Sequence, residues 1–113
     1  MITKVIIKRI VANGKENDFF ALLRDLRFNA MGQEGYISGE TLICADQINK
    51  VMIISQWETM GDWKAWEGNE KRKEMDKLLG AFQETPTEYE AYVFSKYRAA
   101  ASQGFPPPLQ KLD

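Results

Sequence analysis

The order of its periodic segments constrains the fold of this 113-residue chain more than any other sequence feature. Residues 2–11 (ITKVIIKRIV) are rich in β-branched side chains and alternate imperfectly, which predicts a strand. After a turn at Gly14, apolar residues recur with the spacing of one helical face, which predicts a helix of about sixteen residues. That apolar stripe consists of Phe19, Leu22, Leu23, Leu26 and Ala30.

Two further strands and a second helical region follow. Segments 35–46 (GYISGETLICAD) and 49–58 (NKVMIISQWE) predict two strands joined by a turn. Residues 59–82 predict two helical pieces, the first beginning at Thr59, a candidate N-cap with an acidic residue three positions later. The apolar face of the second piece consists of Met75, Leu78, Leu79 and Phe82. Segment 85–97 (TPTEYEAYVFSKY) predicts a last strand, which begins after Pro86.

The resulting order, β-α-β-β-α-β, is that of a ferredoxin-like α+β fold with a four-stranded antiparallel sheet. We therefore predict one domain over residues 1–97. Residues 98–113 (RAAASQGFPPPLQKLD) show no periodicity, and their three consecutive prolines favour an extended arm.

The predicted central strands carry apolar side chains on both faces. In the first strand, Val5 and Ile7 share one face, and Ile2, Ile6 and Ile10 share the other. Two helices cover only one face of a four-stranded sheet, so the second face needs a cover. A second copy of the chain is the simplest one, packed sheet against sheet, and we expect a homodimer. The alternative is a monomer whose C-terminal arm folds back.

Charge and cysteine content bear on partners and compartment. The chain has 15 basic and 16 acidic residues, a net charge of −1, which gives no electrostatic reason to bind nucleic acid or an anionic membrane. The apolar N-terminus is interrupted by Lys4, Lys8 and Arg9, so we expect neither a signal peptide nor a membrane span. Cys44 is the only cysteine, which indicates a reducing compartment, and we expect a cytoplasmic protein.

The chain contains no histidine, and this limits its chemistry. Ser-His-Asp and Cys-His catalysis are excluded, as are histidine ligands to zinc, iron or heme. No glycine-rich phosphate-binding motif occurs. Glu67, Glu70 and Glu74 share one helical face and leave carboxylate ligation formally open, but an exposed acidic edge is the expectation. We therefore predict no cofactor and no metal site.

All three tryptophans lie within residues 56–66 (QWETMGDWKAW). Trp57 ends a strand and is expected in the core, where large aromatic side chains seal the junction of helix and sheet. Trp66 is expected beside a cleft between helix and sheet, a common place for a ligand. Trp63 is expected to be partly exposed at a subunit edge.

The motifs GYISGETL, ISQWET, DWKAWEGNEKRK and TEYEAYVF, in this order, resemble the antibiotic biosynthesis monooxygenase (ABM) domain family over roughly residues 2–97. The resemblance implies a ferredoxin-like protomer that dimerises into an α/β barrel. It also implies, for one branch of the family, oxidation of phenolic or quinol-like molecules by O2 without metal or organic cofactor. In such a reaction the protein supplies a dry pocket, orientation and a proton acceptor.

Another branch of the family degrades heme with a tryptophan, an asparagine and a histidine. The tryptophan position of that branch falls on Trp66. The asparagine position falls on Ile7 and the iron-ligating histidine position on Asp76, so two of the three residues are absent. Heme degradation is therefore disfavoured.

Side-chain parity predicts a pocket beneath the two helices, lined by Ile7, Arg9, Phe20, Leu23, Ile53, Ser55, Trp57 and Trp66. Arg9 is a candidate to stabilise a phenolate or a developing oxyanion, and Ser55 is a candidate to hydrogen-bond a substrate oxygen. For Arg9 the alternative is a surface cation at a strand end, and for Ser55 it is an ordinary sheet residue. Tyr36 and Tyr92 have the opposite parity and are expected at the dimer interface.

Two functions follow. The first is a cofactor-independent monooxygenase acting on a small aromatic, phenolic or quinol-like substrate. The second is a non-catalytic small-molecule-binding or accessory dimer on the same scaffold, since fold does not fix function. A cleft with convergent polar groups favours the first, and a cleft filled by its own tryptophans favours the second.

Overall fold

The computed structural model describes residues 1–94; residues 95–97 of the predicted domain and the predicted arm at 98–113 lie outside the described residues. The elements, in chain order, are β1 (Thr3–Ile10), α1 (Glu16–Met31), β2 (Tyr36–Cys44), β3 (Gln47–Trp57), α2 (Met60–Glu67), α3 (Glu70–Gly80) and β4 (Glu88–Val93).

The four strands form one antiparallel sheet in the order β2-β3-β1-β4, which confirms the predicted ferredoxin-like fold. β1 lies centrally, with Val5 opposite Ser55 of β3 and Ile7 opposite Tyr89 of β4. Residues at alternate positions therefore share a face across the strands. Within residues 1–94 no helix is long and apolar enough to cross a membrane.

Side-chain caps fix where the second and third helices begin. Thr59 Oγ1 accepts a hydrogen bond of 3.0 Å from the backbone N–H of Asp62, as its N-cap prediction requires. Asn69 Oδ1 accepts one of 3.1 Å from the backbone N–H of Arg72 and starts α3. Each such cap is worth about 1 kcal/mol. The second cap also holds Arg72 in the first turn of its helix, a position that matters for the cavity.

The core lies between the inner face of the sheet and the three helices. The predicted stripe on α1 is confirmed, because Phe19, Leu23, Leu26 and Ala30 are buried. On α3 the prediction is partly wrong: Leu79 is buried, but Leu78, one position earlier, points away from the sheet and is exposed. Phe82 lies beyond the end of α3 and packs against the core from the following turn.

The outer face of the sheet is apolar and incompletely covered by residues 1–94. Ile6 of β1 lies opposite Ile54 of β3, and both are only half-buried. Tyr92 of β4 is 51% exposed, and Leu42 of β2 is exposed on the same face. The two-faced pattern read from the sequence is thus present in the fold, and the homodimer stays a prediction.

Candidate functional site

A cavity of about 60 Å³ lies between the inner face of the sheet and the helices. Seven of the eight residues predicted to line a pocket surround it: Ile7, Arg9, Leu23, Ile53, Ser55, Trp57 and Trp66. Its walls are mostly apolar, and arginine side chains interrupt them. Such a combination of apolar walls with a few polar groups is typical of small-molecule sites.

Phe20 is the predicted lining residue that the structure places elsewhere. It is 38% exposed, and its ring meets the buried ring of Phe19 edge-on at 5.1 Å. Consecutive residues of a helix point about 100° apart, so α1 turns only Phe19 fully inward. The expectation that Phe20 lines the cavity is therefore wrong.

The three tryptophans together form part of the cavity wall. Trp57 is fully buried, and its indole Nε1 donates a hydrogen bond of 3.1 Å to Ser55 Oγ. Trp63 packs against Trp57 with ring centroids 6.0 Å apart and is only 2% exposed. Its predicted exposure at a subunit edge is wrong, because the start of α2 turns Trp63 as well as Trp66 toward the sheet.

Tyr36 also differs from its prediction. Its ring meets Trp57 edge-on at 5.4 Å, and it lines the cavity rather than the outer face. A register shift between Tyr36 and Ser38 breaks the alternation of β2, so counting residues by parity gives the wrong face. Tyr92 lies on the outer face, as predicted.

Gly39 makes room for the Tyr36 side chain. A Cβ at position 39 would lie 2.5 Å from the Tyr36 hydroxyl, closer than any contact that a real Cβ makes. The carbonyl of Gly39 accepts a hydrogen bond from the Arg27 guanidinium of α1. Gly39, Tyr36 and Arg27 thereby join β2 to α1 at one side of the cavity.

Arg9 lines the cavity and is 1% exposed. Its Nη1 donates hydrogen bonds of 3.0 Å to Gln83 Oε1 and of 3.0 Å to Thr87 Oγ1. Asp76 Oδ1 lies 2.8 Å from the same nitrogen and balances its charge. Because both Nη1 hydrogens are donated to Gln83 and Thr87, Asp76 Oδ1 accepts no hydrogen bond. The alternative of a surface cation is wrong, and the guanidinium is held by these three partners.

Arg72 occupies another part of the wall and is 4% exposed. Its guanidinium carbon lies 5.3 Å from the ring centroid of Trp63 and 5.3 Å from that of Tyr89. Its Nη2 donates a hydrogen bond of 2.9 Å to Tyr89 Oη. The sequence prediction missed this residue. Arg72 precedes Met75 by three residues and Leu79 by seven, which places it on the apolar face of α3. This spacing is the sequence signal that could have identified it.

Tyr89 is a neutral phenol at physiological pH. Burial raises the pKa of its hydroxyl above the ordinary value of 10.0, and the guanidinium groups of Arg9 and Arg72 offset part of that rise. Its oxygen accepts the hydrogen bond from Arg72, so its own hydrogen is left to donate. Tyr89 therefore contributes a polar group but no negative charge.

Metal-binding clusters are absent from residues 1–94, where no group of three or more His, Cys, Asp or Glu side chains is placed to hold an ion. Ser55 lies on the inner face beside Trp57 and is buried. Its hydroxyl oxygen accepts from Trp57, which leaves its hydrogen available to a ligand. The cavity can therefore supply hydroxyl and guanidinium donors against apolar walls.

The sheet order and the cavity together define a ferredoxin-like α+β domain with a cavity on the inner face of its sheet. A family model described as antibiotic biosynthesis monooxygenase matches residues 1–78, more than half of the chain. The chain therefore belongs to the antibiotic biosynthesis monooxygenase family, as its motifs indicated. No curated protein matches the sequence.

Solved structures with the same fold are found at low sequence identity. A conserved protein from Methanosarcina mazei Go1 superposes with a TM-score of 0.79 at 20% identity, covering 84% of this chain and 94% of that one. SnoaB, a cofactor-independent oxygenase from Streptomyces nogalater, superposes with a TM-score of 0.72 at 14% identity, covering 85% of this chain and 96% of that one. A protein from Mycobacterium tuberculosis superposes with a TM-score of 0.76 at 12% identity, covering 85% of this chain and 97% of that one. At these identities the likeness supports the fold alone.

Proposed function

We propose that the protein is a cofactor-independent monooxygenase that oxidises a small aromatic, phenolic or quinol-like substrate with O2. Family membership supports the reaction class. The observation that carries the proposal is the cavity itself, in which Trp57, Trp63 and Trp66 form apolar walls beside the polar groups of Ser55 and Arg9.

The chemistry needs little from the protein. An ionised phenol or enol is electron-rich enough to pass an electron to O2, and recombination of the two radicals forms a carbon–oxygen bond. One oxygen atom stays on the carbon, and the other leaves as water with two hydrogen atoms from the substrate, so no external reductant enters. Apolar walls keep bulk water away from these intermediates, and fixed donors orient the oxyanion.

In this proposal, Ser55 donates its hydroxyl hydrogen to a substrate oxygen. Arg9 is paired with Asp76 and held by Gln83 and Thr87, so it contributes a fixed polar wall rather than a free positive charge. Trp66 supplies a flat surface for the ring. Ile7, Leu23 and Ile53 complete the apolar lining. No step uses a metal or an organic cofactor.

Oxygen uptake by the purified protein tests the proposal, measured with phenols, anthrone-like polyketides and quinols. We expect uptake with at least one class and a large loss in Trp66→Ala. Phe28→Ala is the matched control, because Phe28 is an aromatic side chain that is 76% exposed on α1. Absence of uptake across the whole panel, with the protein folded, would reject the monooxygenase.

The small size of the cavity favours a second candidate function, a non-catalytic binding or accessory protein. An apolar cavity of about 150 Å³ takes one benzene molecule, whereas this one measures about 60 Å³. Even a one-ring ligand requires wall side chains to shift, and a polycyclic ligand requires more. Binding of a ring without oxygen consumption would select this candidate.

We also propose that the protein is a cytoplasmic homodimer formed through the outer face of the sheet. The half-buried Ile6, Met52 and Ile54 are the apolar side chains that such a contact would cover. The single cysteine supports a reducing compartment. Mass measurement in dilute solution tests the assembly, and we expect two chains per particle.

A further inference from the structure

Arg72 carries a buried positive charge that no acidic side chain among residues 1–94 balances. Every ion pair of that part of the chain involves another cation, namely Arg9 with Asp76, Lys64 with Glu67 and Lys73 with Glu70. The guanidinium of Arg72 has Tyr89 Oη as its one side-chain hydrogen-bond partner in residues 1–94, and that oxygen is uncharged.

Burial of an unbalanced charge is costly. Removing a guanidinium from water costs several kcal/mol by general estimates, and a carboxylate partner normally offsets part of that cost. Contact with an aromatic face contributes about 2 kcal/mol in a desolvated site. The rings of Trp63 and Tyr89 therefore compensate Arg72 only in part.

The two buried arginines differ in what they can still bind. The Nη1 of Arg9 is committed to Gln83 and Thr87 and its Nε is sealed from water, so within residues 1–94 only its Nη2 is left to donate, and Asp76 already pairs its charge. In Arg72, Nε and Nη1 have no partner within residues 1–94, and neither is sealed from water. Arg72 thus keeps unused donors at the cavity wall.

The other charges around the cavity reinforce this difference. Arg27 and Glu40 are the exposed charged residues of the lining, and Arg9 is neutralised by Asp76. Arg27 and Glu40 offset each other, so the charge left over is that of Arg72. Because Arg72 lies among apolar walls, its attraction for an anion is stronger than in water.

We infer that the site takes a one-ring aromatic carboxylate, with the carboxylate hydrogen-bonded to Arg72 and the ring against the tryptophan wall. The inference rests on the proposed function for the statement that this ring is the group oxidised. It adds a carboxylate to the phenol or quinol as the feature that the protein recognises. The small cavity volume favours a single ring, because a larger ligand requires a larger shift of the wall side chains.

Calorimetric titration of the unmodified protein tests the inference without any turnover. Benzoate and benzamide have the same shape and differ in charge. We expect benzoate to bind at least about 10-fold more tightly, which is the scale of one hydrogen bond to a charged group. Equal affinities, or no binding of benzoate, would overturn the inference.

Variants locate the effect. Arg72→Gln should abolish the preference for benzoate over benzamide, and Arg72→Lys, which keeps the charge, should restore part of it. Arg24→Gln is the matched control, because Arg24 is an exposed arginine on α1 that does not line the cavity. A preference that survives in a folded Arg72→Gln protein overturns the inference. If that variant does not fold, the comparison on the unmodified protein and Arg72→Lys decides.

Oxygen uptake separates this inference from the proposed function. The probes are 2,5-dihydroxybenzoate and hydroquinone, which share the quinol ring and differ in the carboxylate. We expect a lower KM for the first and loss of that difference in Arg72→Gln. Uptake with equal KM values, together with equal binding of benzoate and benzamide, rejects the carboxylate and keeps the monooxygenase. Preferential binding of benzoate, together with no uptake from these two quinols or from the rest of the panel, rejects the monooxygenase and keeps the carboxylate site.

Discussion

The two faces of the sheet are built from the same strands but meet different surroundings. On the inner face, Val5, Val51 and Trp57 are fully buried beneath the helices. On the outer face, their neighbours in sequence, such as Ile6 and Met52, remain half-buried. Residues 1–94 therefore complete one apolar face and leave the other to be completed by something else.

The faces also differ in how they treat charge. The inner face carries Arg9, which is buried and neutralised by Asp76, whereas the outer face carries exposed charges such as Lys4 and Glu90. The charge of Arg9 on the inner face is thus held by a specific partner, Asp76. Charge on the outer face is exposed in the single chain and is not held by buried partners.

The largest effect on stability is expected from Trp57→Ala on the inner face. Removal of a fully buried indole leaves a cavity and should lower the free energy of unfolding by about 3–5 kcal/mol. Chemical denaturation measures it, and Phe28→Ala should stay within about 0.5 kcal/mol of the unmodified protein. Similar losses in the two variants would contradict the assignment of Trp57 to the core.

A smaller loss is expected from Asp76→Asn, which removes the charge that balances Arg9. The free energy of unfolding should fall by about 2 kcal/mol, less than for a fully buried pair because Asp76 keeps contact with water. Glu90→Gln, a change of an exposed carboxylate on the outer face, is the control and should have little effect. If denaturation gave the two variants the same stability, the two faces would not differ in their use of charge.

A change on the outer face should act on assembly more than on the fold. Ile54→Lys should leave the unfolding free energy of the single chain within about 1 kcal/mol and should halve the mass of the particle in solution. Light scattering after size-exclusion chromatography measures that mass. Phe28→Lys is the control on the helical side. A dimer that persists in Ile54→Lys would move the interface away from this face.

The smallest effect on stability is expected from a change of pH, for both faces of the sheet. The chain has no histidine, and burial raises the pKa of Tyr89 further from neutrality. Because the pKa is raised in the folded protein, folding favours the protonated phenol. The contribution of Tyr89 to stability is therefore complete below about pH 10, the unfolded pKa, and is lost as pH rises through the folded pKa. Thermal unfolding should therefore change little between pH 6 and pH 8. A steep change in that window would require a titrating group other than Tyr89.

Much of the fold could be predicted from the sequence because its determinants are local. The stripe from Phe19 to Ala30 and the Thr59 cap each involve residues within one or a few helical turns. The alternation in β1 likewise needs no distant information. These features agree on one order of elements, and that order allows few topologies.

The site was less predictable because it depends on non-local contacts. Tyr36 reaches the cavity through a register shift that alternation cannot reveal. Arg72 sits in a highly charged segment that is typical of a solvated helix, and its partner Tyr89 is 17 residues away. Ser55 and Trp66 were found because parity and helical spacing happen to hold at their positions.

The placement of all three tryptophans on one cavity wall has an optical consequence. Indole emission from this protein has no contribution from elsewhere in the chain, so its intensity and wavelength report on that cavity. A ligand that displaces water or quenches excited indoles should change the whole emission spectrum rather than a fraction of it. Trp57, Trp63 and Trp66 thus provide an intrinsic fluorescent sensor for screening ligands without any label.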